Sequence, residues 1–380
     1  MRRRSLLCAP LVVPLTLPFN RAAAAPALNG RCRLATAWRL PGATAPTDGF
    51  CVGILDIDWT AGQIQLRSQL RLPTRAHGLV ALPDGGFVAV ANRPGPWLLR
   101  CDAEGALLRL LDTAMETPQR GFNGHVEASA GGDWIYSSET DPATGAGWVS
   151  VRDARTLQRV AQFSSGGIDP HDLRLGVDGS LMLANGGIVR NGLGGKVEGE
   201  RMAPNLARID PASGRLLGRW TLPDTQLSLR HMAWSTGPTG AAAPDALLGV
   251  ALQAEHDSTS QRAVAPALAI WDGQSLRLPC SDPRAGGYAG DIAAGPAGGF
   301  VVSAQKQGRA LWWHPQEAQK LTLVAELTEP CALLPAADGA GVDIGAARGA
   351  ARWHLRQPPR MLAWPVAMTP DNHAVLLHTG

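Results

Sequence analysis

Four histidines occupy one place in four copies of a single pattern. Arg-Ala-His77-Gly-Leu-Val-Ala-Leu-Pro-Asp-Gly-Gly-Phe-Val-Ala-Val-Ala-Asn92 aligns with Asn-Gly-His125-Val-Glu-Ala-Ser-Ala-Gly-Gly-Asp-Trp-Ile-Tyr-Ser-Ser-Glu139. Asp-Pro-His171-Asp-Leu-Arg-Leu-Gly-Val-Asp-Gly-Ser-Leu-Met-Leu-Ala-Asn185 and Leu-Arg-His231-Met-Ala-Trp follow. Imidazoles brought face to face can bind a metal, share a proton or, when charged, hold an anion. Carboxylates lie close in sequence: Glu127 and Glu139 flank the second copy, Asp169 and Asp172 bracket His171, and Asp291 opens a weaker copy. Each could orient an imidazole from behind or act as its acid–base partner. Arg230 precedes His231, and Asn92, Glu139, Asn185, Gln253 and Gln305 recur at strand ends.

The chain has no G-x-S-x-G elbow, H-E-x-x-H pair, phosphate-binding P-loop or G-x-G-x-x-G turn opening a helix. No catalytic residue can be assigned on that basis.

The copies are short apolar runs joined at Gly/Asp turns, the signature of hairpins. Weaker copies begin at Gly290, Cys331 and His373, so the lead positions are 77, 125, 171, 231, 290, 331 and 373. After each of the first three leads comes another strand pair: Trp97–Cys101 with Ala106–Leu111, Gly147–Arg152 with Gln158–Phe163, and Leu206–Ile209 with Leu216–Leu222. Four short strands repeated at this spacing define a β-propeller blade. The expectation is an all-β, seven-bladed propeller whose lead strands line a central channel. The last lead strand has nothing after it, and Arg33–Leu40, Phe50–Asp58 and Gln63–Arg71 have no lead. Joined, these N-terminal strands and the C-terminal strand close the ring and remove its edges. A rival register with Trp364 in the seventh lead place fits the spacing less well and leaves Arg33–Leu40 outside.

In that architecture His77, His125, His171, His231 and His373 ring one channel mouth, with Gly290 and Cys331 completing it. The candidate ligand site is therefore these five histidines with Glu139, Asn185 and Arg230. A wide channel would keep the full ring from one ion, so the metal set is His125, His171 and His231. A polar lining that bonds neighbouring blades and trapped water fits the same pattern.

Of 380 residues 45% are hydrophobic and 18% charged, and 44 Gly and 29 Pro suit many turns. Arg2, Arg3 and Arg4 precede an apolar run from Leu6 to Phe19, and Ala22–Ala25 offer cleavage sites. Residues 1–25 thus read as a cleaved export signal of twin-arginine type, delivering residues 31–380 to the periplasm as one domain. Removing its four arginines takes the net charge from +3 to −1, which excludes attraction to nucleic acid. Five widely spaced cysteines remain, Cys32, Cys51, Cys101, Cys280 and Cys331, with no C-x-x-C. The stretches Gly186–Pro204, Ser235–Ala246 and Gln253–Pro266 are long for turns, and such loops are functional or mobile.

Gly124-His125, Ser138-Glu-Thr-Asp, Ser165-Gly-Gly-Ile-Asp-Pro-His171-Asp-Leu, Leu183-Ala-Asn-Gly-Gly-Ile188, Met202-Ala-Pro-Asn-Leu206, Leu229-Arg-His231 and Asp371-Asn-His373 resemble the bacterial propellers grouped as domain of unknown function 1513. The likeness covers nearly the whole chain after the export signal. It implies an exported seven-bladed propeller linked to iron uptake, working beside imelysin-type and di-haem peroxidase-like proteins; iron or copper is the metal to expect at the histidines. It implies no reaction. A lactonase-like hydrolase, a quinoprotein-type oxidoreductase subunit and a protein-docking scaffold are the alternatives. The chain departs from the family in its insertion after His231 and in a degenerate sixth repeat, Ala340–Trp353.

Overall fold

A computed structural model describes residues 30–377 apart from 46–47, 117, 192–193, 198–200 and 238–244. The expected export signal, residues 1–25, therefore lies outside the described residues, as does most of the insertion after His231. Seven four-stranded antiparallel sheets form a seven-bladed propeller. The lead strands are Ala76–Ala81, Gly121–Ala128, Pro170–Leu175, Leu227–Trp234, Ile292–Ala294, Leu333–Pro335 and Thr369–Leu376, and we number the blades 1 to 7 by them. Each lead strand is innermost in its sheet and packs against the lead strands of its neighbours.

Blade 7 closes the ring. Its lead strand pairs with Arg31–Arg39, with Leu34 opposite Leu376 and Arg39 opposite Thr369, so the register led by His373 holds and the Trp364 register does not. The sixth repeat, degenerate in sequence, is a complete blade: Leu333–Pro335, Gly341–Ala346, Gly349–His354 and Gln357–Ala363.

The core lies between blades. One cluster joins Val52, Ile54, Phe87, Trp97 and Leu99 of blades 7 and 1; another joins Met182, Leu206, Leu229, Val250 and Trp271 of blades 3 and 4. Outermost strands such as Leu107–Asp112 are largely exposed, and inner ones such as Phe87–Ala91 are wholly buried. The five cysteines among the described residues are free thiols.

Lead strands in five blades pair irregularly, and the break falls on the histidine each time. Register shifts lie between Ala76 and Leu79, Phe122 and Val126, Pro170 and Asp172, and Leu229 and Met232. In blade 7 residues 371–373 bulge opposite Ala37. The lead strands of blades 5 and 6 pair regularly, and neither carries a histidine. A bulge adds a residue to one strand and re-aims its side chain, here toward the axis.

Candidate functional site

The bulges bring His77, His125, His171, His231 and His373 together on the axis, each only 3–7% exposed. In nine of their ten pairings the ring centroids lie 4.4 to 5.9 Å apart. The channel is therefore not wide at this level, contrary to the sequence expectation, because imidazoles of bulged strands reach inward and meet. His171 Nε2 stands 2.8 Å from His231 Nε2, and His373 Nε2 stands 3.2 Å from the same atom. Ligating nitrogens of His77, His125, His171 and His231 all fall within 4.8 Å of one another, as do the ligand atoms of His231, His373 and the Asp291 carboxylate.

Two details open the space. Gly124 has φ +99, and a Cβ there would sit 2.9 Å from His77 Cδ2. A Cβ on Gly78 would sit 2.5 Å from the Gly124 carbonyl. Buried hydroxyls hold the bulged backbone: Thr36 Oγ1 donates to the His373 carbonyl at 3.0 Å, and Ser138 Oγ lies 3.3 Å from the carbonyls of both His125 and His171.

What stands behind each ring decides where its protons sit. His77 Nδ1 is 3.3 Å from Asp371 Oδ1, His125 Nδ1 is 3.3 Å from Asp172 Oδ1, and His373 Nδ1 is 3.2 Å from Asp291 Oδ1. An ionised carboxylate only accepts, so His77 carries hydrogen on Nδ1 and turns a lone pair at Nε2 to the centre, and the carboxylates beside His125 and His373 favour the same tautomer. His171 is the reverse. Its Nδ1 faces Arg93 Nη1 at 3.2 Å, and a guanidinium only donates, so its hydrogen sits on Nε2 and points at His231. His231 Nε2 accepts that hydrogen and has none left for His373 Nε2. Several lone pairs then meet with a single hydrogen among them, and His125 Nε2 and His231 Nδ1 have no partner.

Burial sets the charge of the rings. Loss of solvent pushes His77 down to about 4, against the opposing pull of Asp371. It drives His125, His171 and His231 well below the ordinary range, helped by neighbouring imidazoles and, at His171, by Arg93 and Arg230. These rings are neutral at pH 7, the form that ligates a metal. The carboxylates also bridge blades: Asp172 Oδ2 accepts from the Met232 amide at 2.7 Å, and Asp291 Oδ2 from that of Leu333 at 2.8 Å.

Arg230 belongs to the site, its Nη1 3.5 Å from His171 Nδ1. Glu139 and Asn185 do not. Glu139 accepts from Ser137, Ser150 and Arg152 inside blade 2, where it neutralises a fully buried guanidinium. Asn185 Nδ2 donates to the Ser165 carbonyl and to Asn205 Oδ1. Both sit at the end of a second strand, whose residues bond across their own blade. Cys331 reaches the lead position, but its thiol faces the Gly345 carbonyl at 3.2 Å and burial pushes it up to about 12. Gly290 brings no side chain, and Asp291 serves in its place. Sequence reasoning missed Arg93, Arg190 and the role of Asp371. The doublets Asp169-Pro-His171 and Asp371-Asn-His373 were the available signal for the acids; nothing local marks the arginines.

A family model described as "Protein of unknown function (DUF1513)" matches residues 70–377. The chain belongs to this family. No curated protein matches it. Among solved structures it resembles selenomethionine-substituted virginiamycin B lyase from Staphylococcus aureus, at 10% identity and TM-score 0.53 over 77% of this chain and 85% of the lyase. A functionally unknown protein from Desulfotomaculum acetoxidans is 11% identical, TM-score 0.54, over 86% of this chain and 96% of that one. A chain of a mitotic checkpoint complex is 11% identical, TM-score 0.55, over 93% and 100%. At such identities the likeness is one of fold, and the family assignment does not choose among chemistries for the histidine cluster.

Proposed function

We propose that this DUF1513 protein is a metal-binding propeller that holds one first-row transition-metal ion, iron or copper, at its axis. The observation carrying this reading is the inward convergence of imidazole Nε2 atoms with carboxylates behind three of the rings. Ligands about 2.0–2.1 Å from one ion, at angles of 90–109°, lie roughly 2.9–3.4 Å apart. The 3.2 Å separation of the His231 and His373 Nε2 atoms lies in that range. An Asp on the far nitrogen is the usual support of a ligating histidine, fixing its tautomer and raising its basicity. The donors are His77, His125 and His231, whose ligand atoms lie within 4.8 Å of one another, with His373 Nε2 3.2 Å from His231; ion binding turns the His171 N–H away from the His231 lone pair. His171, first chosen as a ligand with His125 and His231, instead turns an N–H inward. All-imidazole donation suits copper, iron and zinc rather than magnesium or calcium.

The resemblance read from the sequence supports placing this activity in the periplasm as an accessory to iron uptake, beside imelysin-type or di-haem peroxidase-like partners. Among the described residues no helix is long and apolar enough to cross a membrane.

The test is calorimetric titration of metal-stripped protein with Cu(II) and Fe(II), for wild type and the triple variant His77→Gln, His125→Gln, His231→Gln. One equivalent bound by wild type and none by the folded variant is expected. Indistinguishable heats refute the reading.

A further inference from the structure

Beside the histidines, toward the mouth, lies a second group of residues that the metal reading does not use. Asp169, with φ +52, is surrounded by three arginines. Arg190 Nε donates to its Oδ1 at 2.7 Å and Arg93 Nη1 at 3.1 Å, while Arg230 Nη1 stays 3.6 Å from Oδ2. Arg190 belongs to the stretch Gly186–Pro204, and the same stretch sends Lys196 to Glu255 at 3.3 Å. Four cations thus share two carboxylates.

Arg230 is the poorly served member. Its side chain is 3% exposed. Its Nε has no partner, and its nearest acceptors are His171 Nδ1 at 3.5 Å, Asp169 at 3.6 Å and Glu255 Oε1 at 3.7 Å. His171 Nδ1 has one lone pair, already faced by Arg93, and Glu255 Oε1 already accepts from Gln253 at 2.6 Å. A buried guanidinium offers five donors in a rigid fork, and leaving them unmet is costly. The fork matches two oxygens of a carboxylate or oxyanion.

We propose that Arg93, Arg190 and Arg230 form an anion site that takes a small carboxylate or oxyanion against the His171 edge of the cluster. Arg93 and Arg190 are each about one-fifth exposed and provide the entry; Arg230, beneath them, provides the deep contact. The inference goes beyond the metal reading and does not need an ion.

Calorimetry on metal-stripped full-length protein at constant ionic strength, titrated with oxalate and separately with inorganic phosphate, tests it. A saturable one-to-one heat with either anion is expected, and the stronger of the two says whether carboxylate or oxyanion is preferred. Arg230→Met should weaken binding at least tenfold, and the exposed Arg277→Gln should not change it. Arg93→Gln, at a part-exposed position, stands in if circular dichroism shows Arg230→Met unfolded. No saturable heat from either anion on folded wild type, or undiminished affinity in the folded arginine variants, overturns the site. Anion binding without metal binding would sink only the metal reading, and the reverse would sink only this one.

Discussion

Acid should destabilise the metal-free protein well above the pH at which its ordinary carboxylates titrate. Burial holds His77 near pKa 4 in the native state, and an unfolded imidazole titrates near 6.5. Between those values the unfolded chain binds a proton that the native chain refuses, so stability falls as pH falls. At about 1.4 kcal/mol per pH unit, moving from pH 6.5 to 4.5 costs on the order of 3 kcal/mol from His77 alone. His125, His171 and His231 add in the same direction. Glu127 opposes them. Burial lifts it to about 6, so the native form holds a proton that the unfolded chain has released, and acidification through this range restores on the order of 2 kcal/mol at most. Asp371, held below its usual range by His77 and Arg75, and Asp169, held there by arginines, lose their contribution only below about pH 4 and stay outside the window.

The comparison that isolates the term uses Glu127→Gln as background, with and without His77→Gln. Urea unfolding followed by tryptophan fluorescence at pH 7, 6, 5 and 4.5 gives the stability of each. The protein retaining His77 should lose about 3 kcal/mol more over that range than its His77→Gln counterpart. Equal losses would mean that the ring is charged or solvated in the native state, and the neutral, ligand-ready cluster would be refuted with it.

Asp291→Asn should weaken metal binding 10- to 100-fold by removing the carboxylate behind His373, with a modest loss of stability from the weakened acceptor for Leu333; unchanged affinity in the calorimeter would exclude His373 as a ligand. Glu139→Ala should cost about 3–5 kcal/mol in urea unfolding, because fully buried Arg152 keeps only Glu116 as a carboxylate partner, while the metal heat stays as in wild type. A lost metal heat in that variant, with the fold intact, would return Glu139 to the site.

Much of this was legible in the sequence because a propeller repeats its signals. The lead positions, the blade count and the closure of blade 7 follow from apolar runs and Gly/Asp turns that are local. The meeting of five imidazoles was legible for the same reason, since equal places in equal blades converge on an axis. Their closeness was not. It depends on β-bulges at residues 76–79, 122–126, 170–172, 229–232 and 371–373, and an extra residue in a strand leaves no mark in composition. The tautomers were hidden too, because the groups behind the rings come from other blades. Asp371 serves His77, Asp172 serves His125, Asp291 serves His373, and Arg93 serves His171.

The contrast between blades bears on why the cluster exists. A propeller ring can close with regular lead strands and small residues at the lead place, as blades 5 and 6 do with Gly290 and Cys331. Five blades instead interrupt their pairing to bury an imidazole, and buried polar atoms left without partners cost about 1–3 kcal/mol each. His125 Nε2 and His231 Nδ1 are such atoms, and His231 and His373 face each other through Nε2 at 3.2 Å. Packing alone does not require this arrangement, since apolar side chains would fill the same axis without the penalty. A cation at the centre would turn the lone pairs of His125 Nε2 and of the facing His231 and His373 Nε2 atoms into ligands, which is the binding role that the metal titration tests against a polar lining.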